Sequence, residues 1–146
     1  MNLFGMLHIS GSALLAQRER AELSASNLAN AETTRTGEGG PYRRQDVVFA
    51  ARRPLTRGFA ASLASFTDLH ARGVQVAGVF QSSADPVRRF APGHPDADAA
   101  GYVEFPDVNP VEETVNLMEA SRSYQMNVSA VQAIKLMIQS AIGIAG

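Results

Sequence analysis

Both ends of the chain carry an apolar repeat of seven residues, and this constrains the fold more than any other feature. Near the start, Leu7, Leu14, Ala21 and Leu28 recur at that interval, with Phe4, Gly11 and Ala25 at the complementary positions. Near the end, Leu117, Tyr124, Val131, Ile138 and Ala145 recur in the same way. Ala120, Asn127, Ile134 and Ala141 fill their partner positions, and Val128, Met137 and Ile142 widen the stripe. Such spacing puts apolar side chains along one line of a helix, as in a coiled coil. Two long helices are therefore predicted, over residues 3–30 and 110–142. The first seam has flaws: Arg18 occupies a seam position, and Gly5 and Gly11 each cost a helix about 1 kcal/mol relative to Ala.

The predicted helix boundaries have a local chemistry. Asn27 and Asn30 suit the end of the first helix, because Asn tolerates the left-handed conformation. Residues 32–41 then supply Thr, Gly and Pro, which favour a loop. Asn109 is a good N-cap, Pro110 fits the first helical position, and Glu112 stands three residues after the cap, close to a capping box. No proline interrupts the chain after residue 110, so the second helix would run about 50 Å. A compact domain of this size has a radius of gyration of only about 15 Å.

At 146 residues the chain is one domain, or one small domain with extended arms. The pattern predicts an α+β fold. Residues 1–36 and 107–146 form a terminal helical domain, with the helices paired in coiled-coil fashion. A small antiparallel β element over residues 37–106 is inserted between them. Strands are expected over 41–51, around Val74–Val76 and Val79–Phe80, over 86–91, and over 102–105. Residues 52–73, with Leu55, Phe59, Leu63, Phe66 and Leu69, fit a short helix or a loop.

Two such helices cover one face of each other and no more. A large aliphatic side chain gains about 1.5–3 kcal/mol only when fully buried, and aromatics, which supply the largest areas, are 7% of the chain with no Trp. The seams therefore call for cover from other molecules, which points to a structural or interaction protein ahead of an enzyme.

Chemistry-bearing motifs support no competing reading. The formal net charge of −1 gives no bulk attraction to nucleic acid. The Arg pairs 43–44, 52–53 and 88–89 read as solvated faces or interface ion pairs. The absence of Cys removes disulfides, thiol catalysis and thiolate metal sites. His94, Asp96 and Asp98 are too few and wrongly spaced for a cation loop, and a turn held by Pro, Gly and Asx bonds is expected there. His8 and His70 belong to no nucleophile or metal motif. Glu112 and Glu113 fit the first turn of a helix through its dipole. The first sixteen residues make a poor secretory signal, and no apolar run is long enough to span a bilayer. No catalytic, cofactor or metal residue is expected.

Three segments together resemble the flagellar axial proteins. They are residues 24–33 (SASNLANAET) continuing to 40–49 (GPYRRQDVVF), residues 92–109 (PGHPDADAAGYVEFPDVN), and residues 119–127 (EASRSYQMN). The SNLAN turn and the SRSYQ-x-N helix look like features shared across rod and hook proteins. The GYVEFPDVN segment, leading into the last helix, favours a proximal rod subunit. The resemblance implies a structural subunit exported unfolded through the flagellar type III channel and stacked helically in the rod. That rod crosses the periplasm, carries torque and lines the export channel. Its implied partners are copies of itself, other rod subunits, the membrane-ring and export-gate base, and distal rod components, with no nucleic acid and no small-molecule substrate. On this reading Leu7, Leu14, Leu28, Leu117, Tyr124, Val131, Ile134 and Ile138 form helical interfaces, and Asn27 and Asn30 shape the turn. The alternatives are another rod- or hook-type subunit, or a soluble coiled-coil adaptor.

Overall fold

The computed structural model describes residues 3–52 and 73–145. The short helix or loop expected from Leu55 to Leu69 lies outside the described residues. The architecture is α+β: two long terminal helices pack together, with small antiparallel two-stranded sheets between them in sequence. Helix α1 spans Leu3–Ala29. Strand β1 (Gln45–Ala51) pairs with β2 (Val74–Gln81), and β3 (Val87–Phe90) pairs with β4 (Tyr102–Phe105). Helix α2 spans Pro110–Ala145, about 54 Å at 1.5 Å per residue.

Helix α2 begins where the capping chemistry places it. Asn109 Oδ1 accepts the Val111 N–H at 3.1 Å, and the Asn109 carbonyl accepts the Glu113 N–H at 3.0 Å. Pro110 supplies a helical φ at a position whose N–H would have no helical acceptor. Along α2 the buried positions are Glu113, Ala120 and Ile134, and Leu117, Asn127, Val131 and Ile138 are half-buried. Successive members are three to seven residues apart, the spacing of one helix face. The sequence stripe is narrower than its apolar content implied. Ala141, Met137 and Ile142 are exposed, since their azimuth or their place in the last turns carries them off the packed face.

Helix α1 corrects one expectation. Phe4, Arg18 and Ala25, placed on the seam by the heptad count, lie on the exposed side with His8, Leu15, Glu22 and Ala29. These seven residues are spaced by three, four or seven and form one outward line. Most of the remaining helix surface is at least half-buried, with Ser10, Ala16, Ser24 and Asn27 innermost. Helix α1 is contacted by β-strand residues as well as by α2, so its inner face is wider than a two-helix seam. An arginine on the outward line is no flaw.

The described chain divides into two compact units. One contains Met1–Glu19, Val48–Gly78 and Ala120–Gly146, and the other contains Arg20–Val47 and Val79–Glu119. In the first, the Arg52 N–H donates to the Gly73 carbonyl at 2.8 Å and closes the open end of the β1–β2 ladder. In the second, the Ser82 N–H donates to the Arg44 carbonyl at 2.7 Å. Strand β1 starts at Gln45 and not at Pro41, because the preceding segment is turned back on the end of α1: the Tyr42 N–H donates to the Thr33 carbonyl at 3.0 Å. The β3–β4 register is Val87 opposite Phe105, Arg88 opposite Glu104, Arg89 opposite Val103 and Phe90 opposite Tyr102.

Candidate assembly interface

In the second unit the end of α1, the segment before β1 and the start of α2 meet through a sealed polar cluster. Asn27 is 1% exposed, and its amide is fully used. Its Nδ2 donates to the Gln45 carbonyl at 2.8 Å and to Glu113 Oε2 at 3.2 Å. Its Oδ1 accepts the Gln45 N–H and the Tyr42 hydroxyl, both at 2.9 Å. Glu113 Oε1 accepts Arg44 Nε at 2.6 Å, and Arg44 also pairs with Asp46. Burial alone would lower the Arg44 pKa; the hydrogen bond and charge of Glu113, with Asp46 and Glu112, outweigh it and hold the guanidinium above its ordinary range. Buried polar groups stabilise when every donor and acceptor is matched, as here.

Asn30 acts differently from the left-handed residue expected of it. Among the described residues no non-glycine has a positive φ. Instead Asn30 Nδ2 donates to the Ser26 carbonyl at 2.9 Å, and the Thr33 hydroxyl donates to Asn30 Oδ1 at 3.2 Å. The side chain thus adds a second bond to a carbonyl that already accepts the Asn30 N–H at 3.0 Å, and fixes the direction of the following loop.

In the first unit, Ser12 latches α1 to β2. Its hydroxyl donates to the Ile9 carbonyl at 2.7 Å and accepts the Val74 N–H at 3.0 Å. Gly73 is buried against it, and a Cβ there would overlap Ser12 Oγ and lie 3.0 Å from Ser12 Cβ. An adjoining open cleft includes His8, Leu15, Glu19, Arg52 and Val76. His8 Nε2 lies 3.2 Å from Arg52 Nη1. Among the described residues lining the cleft, the one hydroxyl, that of Ser12, is committed to backbone bonds.

The 91–102 turn is held by its own side chains. Asp98 Oδ1 accepts the Ala100 N–H at 2.9 Å and the Tyr102 N–H at 2.8 Å, and Oδ2 accepts Arg88 Nη2 at 2.7 Å. Those bonds, the Tyr102 amide first, keep the Asp98 carboxyl below the ordinary aspartate range. Asp96 Oδ2 accepts the Thr34 hydroxyl at 2.8 Å.

The predicted packing residues occupy different environments. Ile134 is buried; Leu7, Leu14, Leu28, Leu117, Val131 and Ile138 are half-buried; Tyr124 is exposed. Opposite the packed side of α2, a second apolar line stands open. Val111, Val115, Met118, Met126, Leu136 and Ile144 on it are each more than half exposed. A solvent-facing helix side normally carries charge.

The chain is 38% identical to the flagellar basal-body rod protein FlgC of Borreliella burgdorferi, covering 99% of this chain and 98% of that one. The chain belongs to the FlgC family of flagellar basal-body rod proteins. It is 44% identical to the FlgC protein of Escherichia coli O6:H1 over 94% of both chains, and 38% identical to that of Bacillus subtilis over 99% of both. Residues 99–144 match the family described as flagellar basal body rod FlgEFG protein C-terminal, which takes in β4 and nearly all of α2. The likeness to FlgC proteins therefore extends through the Asn27 junction and both sheets as well as the last helix.

Sequence reasoning missed the buried junction. Glu113 was assigned only a dipole role, and Arg44 a solvated face or an interface ion pair with no partner named. Glu113 lies 86 residues from Asn27 and 69 from Arg44, and no local pattern links positions so far apart. The one available signal was the crowding of Asn, Ser and Tyr around the first helix end in a segment otherwise predicted to bury apolar residues.

Proposed function

We propose that the chain is a structural subunit of the proximal rod of the bacterial flagellar basal body. Copies of it, together with other rod subunits, build a shaft that carries torque and surrounds the export channel. The observation that carries this reading is near full-length similarity to FlgC proteins. The physical support is the open apolar line of α2 opposite its packed face. Six large side chains left in water forgo the burial that would stabilise them, and neighbouring subunits can supply it.

On this reading the terminal helices form the inner core of the shaft and the segment between them lies on the outer side of that core. Leu7, Leu14, Leu28, Leu117, Tyr124, Val131, Ile134 and Ile138 hold the helix pair, and neighbours cover what Tyr124 and the half-buried members leave exposed. The outer line of α2 supplies a further contact. Heterologous contacts of this kind propagate into an open helix when the rotation between copies does not close. The rod base and distal rod components are the end neighbours such a stack requires.

Basal bodies isolated from a flagellated host carrying a tagged copy test the proposal. The chain is expected in the rod fraction, and a host lacking it is expected to be non-motile. Recovery of the chain solely from the soluble fraction of a motile host would instead favour a coiled-coil adaptor.

A further inference from the structure

We propose that the outer face of the β3–β4 hairpin docks onto the outer line of α2 in a second copy of this chain, with Glu104 of one copy paired to Arg122 of the next. This names a specific contact within the assembly proposed above, and rests on that reading.

The register divides the hairpin into two faces. Val87, Arg89, Val103 and Phe105 share one, and Val103 on it is 1% exposed. Arg88, Phe90, Tyr102 and Glu104 share the other, with Phe90 66% and Tyr102 43% exposed. This outer face is preformed. The Phe90 and Tyr102 rings meet edge to face with centroids 5.4 Å apart. Arg88 stands 5.2 Å over the Tyr102 ring while bonded to Asp98. Gly101 has φ +80°, and a Cβ there would come within 2.9 Å of Phe90 Cε2, so the backbone leaves room for that ring. Aromatic side chains already held in one geometry lose little freedom on docking, which is why they dominate the energetics of protein interfaces.

The charges identify the occupant. Glu104 is exposed and has no hydrogen bond or ion pair with another described residue, while Arg88 opposite it is taken by Asp98. Arg122 on the outer line of α2 is likewise exposed and without such a partner among the described residues. One turn further, Met126 is 60% exposed. A carboxylate beside two aromatic rings thus matches an arginine beside a methionine, and thioether sulfur packs favourably against ring edges. The two patches differ, so the contact is head-to-tail and can repeat from copy to copy.

The chain has no Cys, so a chain carrying Glu104→Cys and Arg122→Cys offers only those two thiols. In basal bodies treated with a short bis-maleimide, this double variant should give a ladder of covalent multimers, and either single variant should stay monomeric. A rod-borne double variant that stays monomeric would overturn the pairing and leave the rod assignment standing. Absence of the unaltered chain from basal bodies would overturn both. If the double cysteine variant does not enter the rod, charge reversal decides. Arg122→Glu should lower incorporation several-fold, and adding Glu104→Arg should restore it to near the parent level; failure of that restoration would overturn the pairing.

Discussion

Asn27, two residues from the end of α1, donates its amide to Glu113 in the first turn of α2 across 3.2 Å, and each side chain is 1% exposed. A sealed polar contact between segments so distant in sequence makes the junction cooperative. Neither residue is satisfied until the end of α1, the Tyr42–Gln45 segment and the start of α2 have all arrived. Before then each polar group keeps its water. Afterwards, removing any one leaves the others dry and unmatched.

Replacing Glu113 should therefore cost more than a surface carboxylate would. Glu113→Ala leaves Arg44 without its main partner. Because the Arg44 side chain is 23% exposed, water offsets part of the loss, and about 2–3 kcal/mol is expected, below the ~3–5 kcal/mol of a wholly sealed pair. Glu113→Gln keeps an acceptor for Asn27 and should lose less. Urea unfolding of the three chains checks the order; equal stability of Glu113→Ala and the parent would contradict it.

Asn27→Ala should destabilise by about 3 kcal/mol or more, taking the low end of ~1–3 kcal/mol for each of the groups it strands. Those are the Gln45 N–H and carbonyl and the Tyr42 hydroxyl. Asn27→Asp should also destabilise, since it sets a second carboxylate against Glu113. The Gln45 amide is the local reporter: its hydrogen exchange should accelerate in both variants more than that of amides in the middle of α2.

The elements legible in the sequence were those governed by neighbours along the chain. The cap at Asn109, the period of α2 and the strands around Val47–Phe49 and Val103 each depend on residues a few positions apart. The line of Phe4, Arg18 and Ala25 was misread because a heptad count cannot tell a two-sided helix from a one-sided one. It took the latch from Ser12 to Val74 and the bond from Asn27 to Gln45 to show that strands as well as α2 lie against α1. The proposed contact residues Glu104 and Arg122 had no local signal, because an unpaired charge is defined only by what fails to reach it in space.

Gly73→Ala should destabilise the first unit by about 1–3 kcal/mol through overpacking. The added Cβ meets Ser12, whose hydroxyl is fixed by two backbone bonds and cannot swing aside without breaking one. Ser12→Gly removes the obstacle at a cost of its own: the Val74 N–H loses its acceptor, and Gly lowers helix propensity by roughly 0.5 kcal/mol relative to Ser. The double variant should then lose less than the sum of the two singles. A double-mutant cycle with additive losses would rule out the close contact.

Acidification should open the 91–102 turn at lower pH than an ordinary aspartate would permit. The Asp98 carboxyl is held below the usual 3.8, first by the Tyr102 N–H, with smaller help from the Ala100 N–H and Arg88, against a desolvation effect that raises it. A carboxyl with a depressed folded pKa contributes stability that is complete above the unfolded value. That stability fades as pH falls through the folded one, where the unfolded chain binds more protons. Amide shifts of Ala100 and Tyr102 should be flat above pH 5 or so and titrate together below 3.8. Asp98→Asn should abolish that titration, and a midpoint above 3.8 would contradict the assignment.

Charges placed on the two sides of α2 should separate folding from assembly. Val131 is half-buried on the packed side and Met126 is 60% exposed on the open side. Val131→Asp buries a carboxylate without a partner and should lower the stability of the isolated chain by about 1–3 kcal/mol, as well as abolish rod incorporation. Met126→Asp should leave the melting transition of the isolated chain within a few degrees of the parent, since surface changes usually stay within about 0.5 kcal/mol, yet still block motility. Expression should be intact in both. A motile strain carrying Val131→Asp would refute the role of the packed seam. Motility with Met126→Asp would show that the open line of α2 faces solvent in the rod, and the cover its apolar residues lack would then have to come from elsewhere.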